Sequence, residues 1–179
     1  MKYAFLEPIQ VGVLTLRNRI VSLAMAKNLS TDDFFVTNQQ IEYYENTARG
    51  GAALIIPGGG IIDPDWPSIN ANQPGLFDEK FLDGLSRLTN AVHQHGAKIF
   101  FQLWHPGEVD YSWDIPESPK TVNELTVEEM QNIKTKFIKA AQISKKAGAD
   151  GVEIQVCHNY LLAQFLSCLL YTSPSPRDK

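Results

Sequence analysis

The amino-acid sequence predicts an α/β fold with a parallel sheet, and three observations support that prediction. Short apolar runs alternate with stretches whose apolar residues recur at helical spacing. One phrase recurs three times, as NTARGGAALIIPGG, AVHQHGAKIFFQLW and SKKAGADGVEIQV, and each copy places glycine between a helical stretch and an apolar run. The runs after these glycines are almost continuously apolar, which is typical of strands that are buried on both faces. Strict alternation of strands and helices indicates the α/β class.

The strands are predicted from four apolar runs, NRIVSLAM, AALIIP, KIFFQLW and GVEIQV. Before them, IQVGVLTLRNR alternates in polarity and predicts a small hairpin. Gly50, Gly96 and Gly148 stand where a residue in the left-handed conformation commonly closes a helix. We therefore expect a helix to end at each of these glycines.

Each helix between the strands has a start signal in the sequence. Thr37 with Gln40, and Thr126 with Glu129, match the capping-box pattern, and Asp78 is expected to cap the middle helix. After the fourth strand, LLAQFLS predicts the beginning of a fourth helix. The predicted order is therefore a hairpin followed by β-α-β-α-β-α-β and the start of another helix.

Two α/β architectures fit this order, a doubly wound sheet and a (β/α)8 TIM barrel. A dinucleotide-binding doubly wound sheet carries G-x-G-x-x-G after its first strand, and AMAKNLS has no such pattern. The barrel is favoured, but a typical barrel has eight strands and about 250 residues. The chain has 179 residues and four strand–helix units, so we expect a barrel truncated to about its first four βα units.

Composition excludes several classes of function. The net charge is −4 without a Lys/Arg run, which argues against nucleic-acid partners and anionic membrane surfaces. We find no signal peptide and no apolar run near the roughly 18 residues that span a bilayer, so we expect a cytoplasmic protein. Cys157 and Cys168 lack the spacing of a disulfide framework or a zinc site, and no metal is expected.

Active sites of (β/α)8 barrels lie at the carboxyl ends of the strands. In this sequence those ends bring together a glycine cluster, two side-chain amides, two imidazoles, a phenol and an indole. The residues are Ala24, Met25, Ala26, Pro57, Gly58, Gly59, Gly60, Gln102, Trp104, His105, Gln155, His158 and Tyr160. Carboxylates are too few there for a hard cation. The set suits a planar aromatic ligand that forms hydrogen bonds.

Four segments carry a resemblance to a known family: LEPIQVGVLTLRNRIV, HGAKIFFQLWHPG, ELTVEEM and GADGVEIQVCHNYLLAQFLS. Together, across residues 5–167, they resemble the Old Yellow Enzyme family of FMN-dependent NAD(P)H oxidoreductases, in particular its NADH:flavin oxidoreductase and enoate reductase branch. The resemblance implies that residues 1–167 are the amino-terminal half of an FMN-binding TIM barrel. The implied reaction passes hydride from NADH or NADPH through FMN to an activated alkene, such as an enone or enoyl compound, or to another small-molecule acceptor. The resemblance is also compatible with an iron–sulfur cluster in the complete parent, whose cysteines would lie beyond residue 167, and with a homo-oligomeric parent.

The resemblance also implies roles for five residues at the flavin. Met25, with Ala24 and Ala26, matches the segment that lies against the flavin ring. Gly59 matches the position whose backbone approaches that ring, and Gln102 matches the glutamine that binds its pyrimidine end. Family members often have Thr or Cys at the position of Ala26, so the flavin potential is expected to differ here.

The substrate-facing residues are implied in the same way. His158 matches a side chain that holds the substrate carbonyl oxygen, where negative charge develops. Tyr160 matches the tyrosine that protonates the alkene carbon. Gln155 stands where the family often has histidine, and His105 is a further candidate for the substrate pocket. Because His158 and Tyr160 are two apart, they are expected to share a face if the strand geometry continues.

The last residues do not continue the family pattern. CLLYTSPSPRD, from residue 168, is the translation of a transposase adaptor used in sequencing libraries. We expect residues 168–179 to be a non-native tail and this chain to be an inactive fragment of its parent enzyme; a natural Ser/Pro-rich tail is the alternative.

Two other functions stay open on sequence grounds. One is a non-catalytic half-barrel that folds only by association with a partner or a second copy. The other is a cofactor-free lyase or aldolase, which would need a lysine at a strand end. Lys27 is the nearest candidate and has no supporting base beside it.

Overall fold

The computed structural model describes residues 3–66, 72–108 and 120–167, which form a parallel sheet with helices packed on one face. The predicted tail at 168–179 lies outside the described residues. The chain begins with an antiparallel hairpin of β1 (Ile9–Val11) and β2 (Leu14–Leu16). Leu16 of this hairpin is buried against the first residues of the second barrel strand, so the hairpin closes the amino-terminal end of the sheet.

The strands of the main sheet follow one another in space as they do in the chain. They are β3 (Val21–Ser22), β4 (Leu54–Ile55), β5 (Gly60–Ile61), β6 (Lys98–Trp104) and β7 (Gly151–Ile154). All the pairings are parallel: β3 with β4, β4 with β6, and β6 with β7. The short β5 pairs with the carboxyl end of β6 and continues the line of β4 past a break. This sequential parallel order is that of a (β/α)8 barrel wall, as predicted.

In the described part of the chain, four α-helices connect or follow these strands: α1 (Asn38–Arg49), α2 (Leu82–Gln94), α3 (Val127–Lys146) and α4 (Leu161–Leu166). Short 3-10 turns occupy Ala4–Leu6 and Glu79–Phe81. The main core lies between the sheet and helices α1 to α3. Within the described ranges, no helix has both the length and the apolar character needed to cross a bilayer.

Alternation along β6 decides what faces the helices and what faces the barrel interior. Ile99, Phe101 and Leu103 are buried in the core beneath the helices. Successive side chains in a strand point to opposite faces. Gln102 and Trp104 therefore point away from the helices, toward the interior of the barrel wall.

The predicted helix starts are present, in slightly different forms. Thr126 and Glu129 make a complete capping box. Thr37 accepts a hydrogen bond from the Gln40 backbone N–H, but the Gln40 side chain accepts from a serine hydroxyl instead of returning to the cap. Asp78 caps the 3-10 turn that leads into α2.

Two of the three predicted helix-closing glycines are confirmed. Gly96 and Gly148 have positive φ angles of 71° and 87°. The prediction for Gly50 is wrong, because its φ is −68° and its N–H still bonds to Asn46 within the helix. The next residue, Gly51, takes the left-handed conformation with φ 109°. With two glycines in succession, the helix continues for one residue before it closes.

Arg17, just after the hairpin, joins the ends of two helices to the sheet. Its guanidinium donates to the carbonyl oxygens of Ala48 and Ala52, both at 2.8 Å, and of His95 at 2.6 Å. A cation at helix carboxyl termini satisfies carbonyl groups that have no partner within the helix.

We expect Arg17→Met to lower the free energy of unfolding by about 2 kcal/mol, because charge-assisted hydrogen bonds to three carbonyls are lost. Urea unfolding of the purified chain measures this. Arg49→Met is the control, since the side-chain bond that Arg49 makes within the described residues is to exposed Asn46 in its own helix, and its cost should stay below about 0.5 kcal/mol. Equal costs for the two variants would contradict the proposed role of Arg17.

Candidate active site

A cleft of about 340 Å³ opens at the carboxyl ends of the parallel strands. Ten residues line it: Ala24, Met25, Ala26, Gly59, Gln73, Gln102, Trp104, Gln155, His158 and Tyr160. Eight of the nine residues predicted from the sequence as site residues are in this set, and His105 is not. The structure thus brings residues from all four barrel strands to one cleft.

The glycines at 58–60 allow their own backbone segment to lie in contact with the backbone around Met25, beside the cleft. A Cβ atom at Gly58 would lie 2.6 Å from the backbone nitrogen of Met25 and 2.7 Å from its carbonyl carbon. Such distances are too short for any other residue, and backbone cannot move aside as a flexible side chain can. Gly59 has φ 74°, a conformation that favours glycine. The segment around Met25 therefore lies directly against the backbone between β4 and β5.

Gln102 presents a fixed amide to the cleft. Its side-chain oxygen Oε1 accepts from the Gly59 backbone N–H at 2.9 Å, and its Nε2 donates to Glu153 Oε1 at 2.7 Å. The residue is only 7% exposed. An amide can make four hydrogen bonds. One N–H and one oxygen lone pair of Gln102 thus stay available for a ligand.

Trp104 adds a buried hydrogen-bond donor. Its indole Nε1 is buried and has no hydrogen-bond partner in the part of the chain that the structure describes. A buried N–H without a partner is costly, and such groups commonly bind a ligand or water. The Trp104 ring packs edge-to-face on Tyr160, with ring centroids 5.3 Å apart.

His158 and Tyr160 lie close together, although not for the reason predicted. Strand β7 ends at Ile154, so strand geometry does not continue to these residues. Instead His158 and Asn159 both have positive φ angles, 57° and 58°, and turn the chain sharply. The rings of His158 and Tyr160 end 6.1 Å apart, and both line the cleft.

Gln155 contacts the imidazole of His158. The distance from Gln155 Nε2 to His158 Nδ1 is 3.3 Å, and Cys157 Sγ lies 3.4 Å from the same ring nitrogen. When the ring is neutral and Gln155 donates to Nδ1, the ring proton is on Nε2. His158 can then donate a hydrogen bond from Nε2.

His105 was expected to line the pocket, but in the structure it lies outside the residues that line the cleft. The side chain is fully buried, with its Nδ1 accepting from the Gly107 N–H at 3.1 Å. Its ring centroid lies 4.7 Å from that of Trp66. The reason is strand parity, because His105 follows Leu103 on the face opposite to Gln102 and Trp104.

Behind the cleft, His105 belongs to a buried charged group with Asp63 and Lys136. Lys136 Nζ bonds to Asp63 Oδ1 at 2.6 Å, and His105 Nε2 lies 3.7 Å from Asp63 Oδ2. Burial by itself raises the pKa of Asp63, but His105 and Lys136 outweigh it and hold that pKa below its ordinary value. Burial lowers the pKa of His105, although Asp63 opposes this, so the imidazole is neutral at pH 7.

Sequence reasoning missed Gln73 and Glu153. Gln73 is buried, and its amide is satisfied when Nε2 donates to Gly58 O at 3.0 Å and Oε1 accepts from the Asn28 N–H at 3.1 Å. It reaches the cleft from a loop, where no sequence periodicity reveals it. Glu153 lies in β7, two residues before Gln155, which directly follows the strand, and strand parity could have identified it. Among the residues that the structure describes, no group of three or more His, Cys, Asp or Glu is arranged to hold a metal ion.

Comparison with known proteins places this cleft in a family. Residues 4–172 match the model of the NADH:flavin oxidoreductase / NADH oxidase family. The chain is 38% identical to an NADH oxidase of Thermoanaerobacter brockii over 88% of its own length and 26% of that protein. It is 34% identical to an NADPH dehydrogenase of Listeria monocytogenes over 86% of its length and 48% of that protein.

Solved structures show the same relationship. An Old Yellow Enzyme from a Pichia species matches with a TM-score of 0.80 and 25% identity, over 96% of this chain and 50% of that one. The Old Yellow Enzyme homologue of Zymomonas mobilis matches with a TM-score of 0.77 and 27% identity, over 89% of this chain and 50% of that one.

The fold and the cleft define a flavin-type oxidoreductase barrel, of which these residues form part. The chain belongs to the NADH:flavin oxidoreductase / NADH oxidase family, of the Old Yellow Enzyme type. It spans between a quarter and half of the length of the relatives that it matches.

Proposed function

We propose that this chain is the flavin-ring-binding half of an FMN-dependent NAD(P)H oxidoreductase that reduces activated alkenes. One observation carries the proposal: a single cleft collects a fixed amide with spare donor and acceptor capacity, a buried indole N–H without a partner, and the His158–Tyr160 pair. The substrate class is a small enone or enoyl compound.

The cleft residues fit the flavin ring. Ala24, Met25 and Ala26 offer a mostly apolar surface, and the glycines beside them keep the backbone close to any flat ligand. Gln102 would bind the polar edge of the ring through its spare N–H and lone pair. FMN, when bound, supplies the hydride chemistry, while the protein orients the reactants and excludes competing reactions.

The protein's own contribution is to place a donor and an acid. His158, with Nδ1 engaged by Gln155, offers its Nε2 proton to the carbonyl oxygen of the substrate, where charge accumulates during hydride transfer. Tyr160 donates a proton to the α-carbon. Gln155 cannot become charged as a histidine can, so oxyanion stabilisation depends more heavily on His158.

The flavin spectrum of the purified 179-residue chain tests the proposal. Barrel phosphate sites usually come from the loops after strands seven and eight, which are not among the described strands. We therefore expect weak, substoichiometric binding, with FMN and riboflavin bound within about threefold of each other because the phosphate gains little. Gln102→Leu should remove most of this binding.

Two results would count against the proposal. If Gln102→Leu binds the flavin ring as tightly as the wild type does, the ring does not bind beside Gln102 in this cleft. A stoichiometric yellow protein that strongly prefers FMN over riboflavin would show that a phosphate site exists without the second half of the barrel.

A non-catalytic half-barrel that associates with another chain is the second candidate. An apolar groove of about 310 Å³ lies between α3 and α4, lined by residues such as Ile133, Phe137, Leu161 and Phe165. Ile154, at the end of β7 in this groove, is 52% exposed. Size-exclusion chromatography discriminates the candidates, because a groove that must be covered predicts dimers or larger species instead of monomers.

A further inference from the structure

We propose that Glu153 is a positioning residue, which fixes the orientation of the Gln102 amide and so determines which ligand edge the cleft accepts. The inference deepens the proposed function and depends on it in one respect, that the ligand is a flavin ring. The orientation of the amide itself follows from contacts within the protein.

The two side chains are neighbours across the sheet. Gln102 of β6 and Glu153 of β7 are partners in the parallel register, and their side chains meet on the interior face. Gln102 Nε2 donates to Glu153 Oε1 at 2.7 Å in a partly buried contact. Hydrogen bonds to an ionised carboxylate are about twice as strong as neutral ones.

The opposite side of the amide is held by backbone. Gln102 Oε1 accepts from the Gly59 N–H at 2.9 Å, and the Gln102 backbone N–H donates to Pro57 O at 3.2 Å. The backbone on both sides therefore fixes the direction of the Gly59 N–H. Of the two ends of the Gln102 amide, only the oxygen can accept from this donor.

Rotating the amide by half a turn would break both contacts. Nε2 would then face the Gly59 N–H, and Oε1 would face the Glu153 carboxylate. An ionised carboxylate only accepts hydrogen bonds, so it excludes this second orientation. A glutamine at position 153 would not, because it can turn its own amide to match either orientation of Gln102.

A fixed amide leaves one N–H and one lone pair for the cleft. The complementary ligand edge carries a carbonyl next to an N–H, as the imide edge of a flavin's pyrimidine ring does. A ring methylated at the imide nitrogen lacks that N–H. Glu153 is therefore expected to make the cleft discriminate between these two rings.

Fluorescence titration of the 179-residue chain with lumiflavin and 3-methyllumiflavin tests the selectivity. The wild type should prefer lumiflavin by about tenfold, and Glu153→Gln should reduce the preference to about threefold or less. Glu79→Gln is the control, because Glu79 is exposed and pairs with Lys146 away from the cleft. Unchanged discrimination in Glu153→Gln would overturn the proposal.

A second measurement tests the amide orientation without any flavin. In NMR spectra of the chain with ¹⁵N-labelled glutamine, the side-chain protons of Gln102 should exchange slowly with solvent. Glu153→Leu, which removes the acceptor at similar size, should speed this exchange by at least about threefold. Unchanged exchange would overturn the positioning role. Faster exchange without lumiflavin binding to the wild type would support that role and overturn the flavin as ligand.

Discussion

Lys136→Met is expected to lower the free energy of unfolding by about 3 to 5 kcal/mol, because it leaves the Asp63 carboxylate buried without its cation. The Asp63 side chain is 3% exposed, whereas Lys136 is 24% exposed. The imidazole of His105 lies 3.7 Å away, but burial lowers its pKa, so it is mostly neutral at pH 7. Among the described residues, the Asp65 backbone N–H, at 3.2 Å, would still donate a hydrogen bond to the carboxylate. Urea unfolding at pH 7 measures the loss.

Variants of the two partners should differ in cost, because Lys136 is partly exposed whereas Asp63 is buried. Asp63→Asn should cost less than Lys136→Met, because Lys136 can reach water once its partner is neutral. The double variant Asp63→Asn/Lys136→Met should be more stable than Lys136→Met alone, since it removes the uncompensated charge. A double variant whose cost equals the sum of the two single costs would show that the pair is not coupled.

The pH dependence of unfolding tests independently whether the charge of Asp63 causes this loss of stability. The folded pKa of Asp63 is depressed, so its stabilising contribution is complete above the unfolded pKa of about 3.9 and is lost as the pH falls through the folded value. The cost of Lys136→Met should therefore be largest near pH 7 (about 3 to 5 kcal/mol) and shrink as the pH falls, because Asp63 without its cation and the neighbouring His105 both take up a proton more readily. A cost that stays constant down to about pH 3 would contradict this origin.

Local signals in the sequence were sufficient to predict most of the fold. Strand β6 spans the predicted run KIFFQLW, and the capping box at Thr126 begins α3 as expected. The short β5 was not predicted, because it lies among the glycines at 58–60 and forms by pairing with the end of β6. Non-local pairing of this kind leaves no periodic pattern in two residues. The closing glycine moved from Gly50 to Gly51 for a similar reason, since both residues can adopt the required conformation.

The cleft was predictable to the extent that strand ends determine it. Gln102, Trp104 and Gln155 follow from strand position and parity, and the same parity places His105 on the opposite face. The proximity of His158 and Tyr160 could not be derived, because two consecutive left-handed residues replace the expected strand. The presence of Gln73 in the cleft could not be derived either, because its side chain enters from a loop that is distant in sequence from the strand ends. Loop geometry depends on contacts that are not local in the sequence.

Tyr160→Phe is expected to slow enone reduction by about 10²- to 10⁴-fold, because it removes the group that we propose as the acid for the α-carbon. The measurement requires a complete barrel, which can be made by joining residues 1–167 to the carboxyl-terminal half of the Listeria monocytogenes NADPH dehydrogenase. Phenylalanine keeps the edge-to-face contact with Trp104, at 5.3 Å between ring centroids, so the cleft should retain its shape. Stopped-flow reaction of the reduced protein with cyclohexenone gives the rate.

The controls separate proton donation from a general disturbance of the cleft. Reduction of the protein by NADPH, and its reoxidation by ferricyanide, involve no protonation of carbon and should be within about twofold of wild type in Tyr160→Phe. His158→Leu should instead weaken binding of the enone, because it removes the donor to the carbonyl oxygen while leaving the acid in place. If Tyr160→Phe slowed ferricyanide and enone equally, Tyr160 would act by holding the cleft together, and the proton donor would have to be a different group.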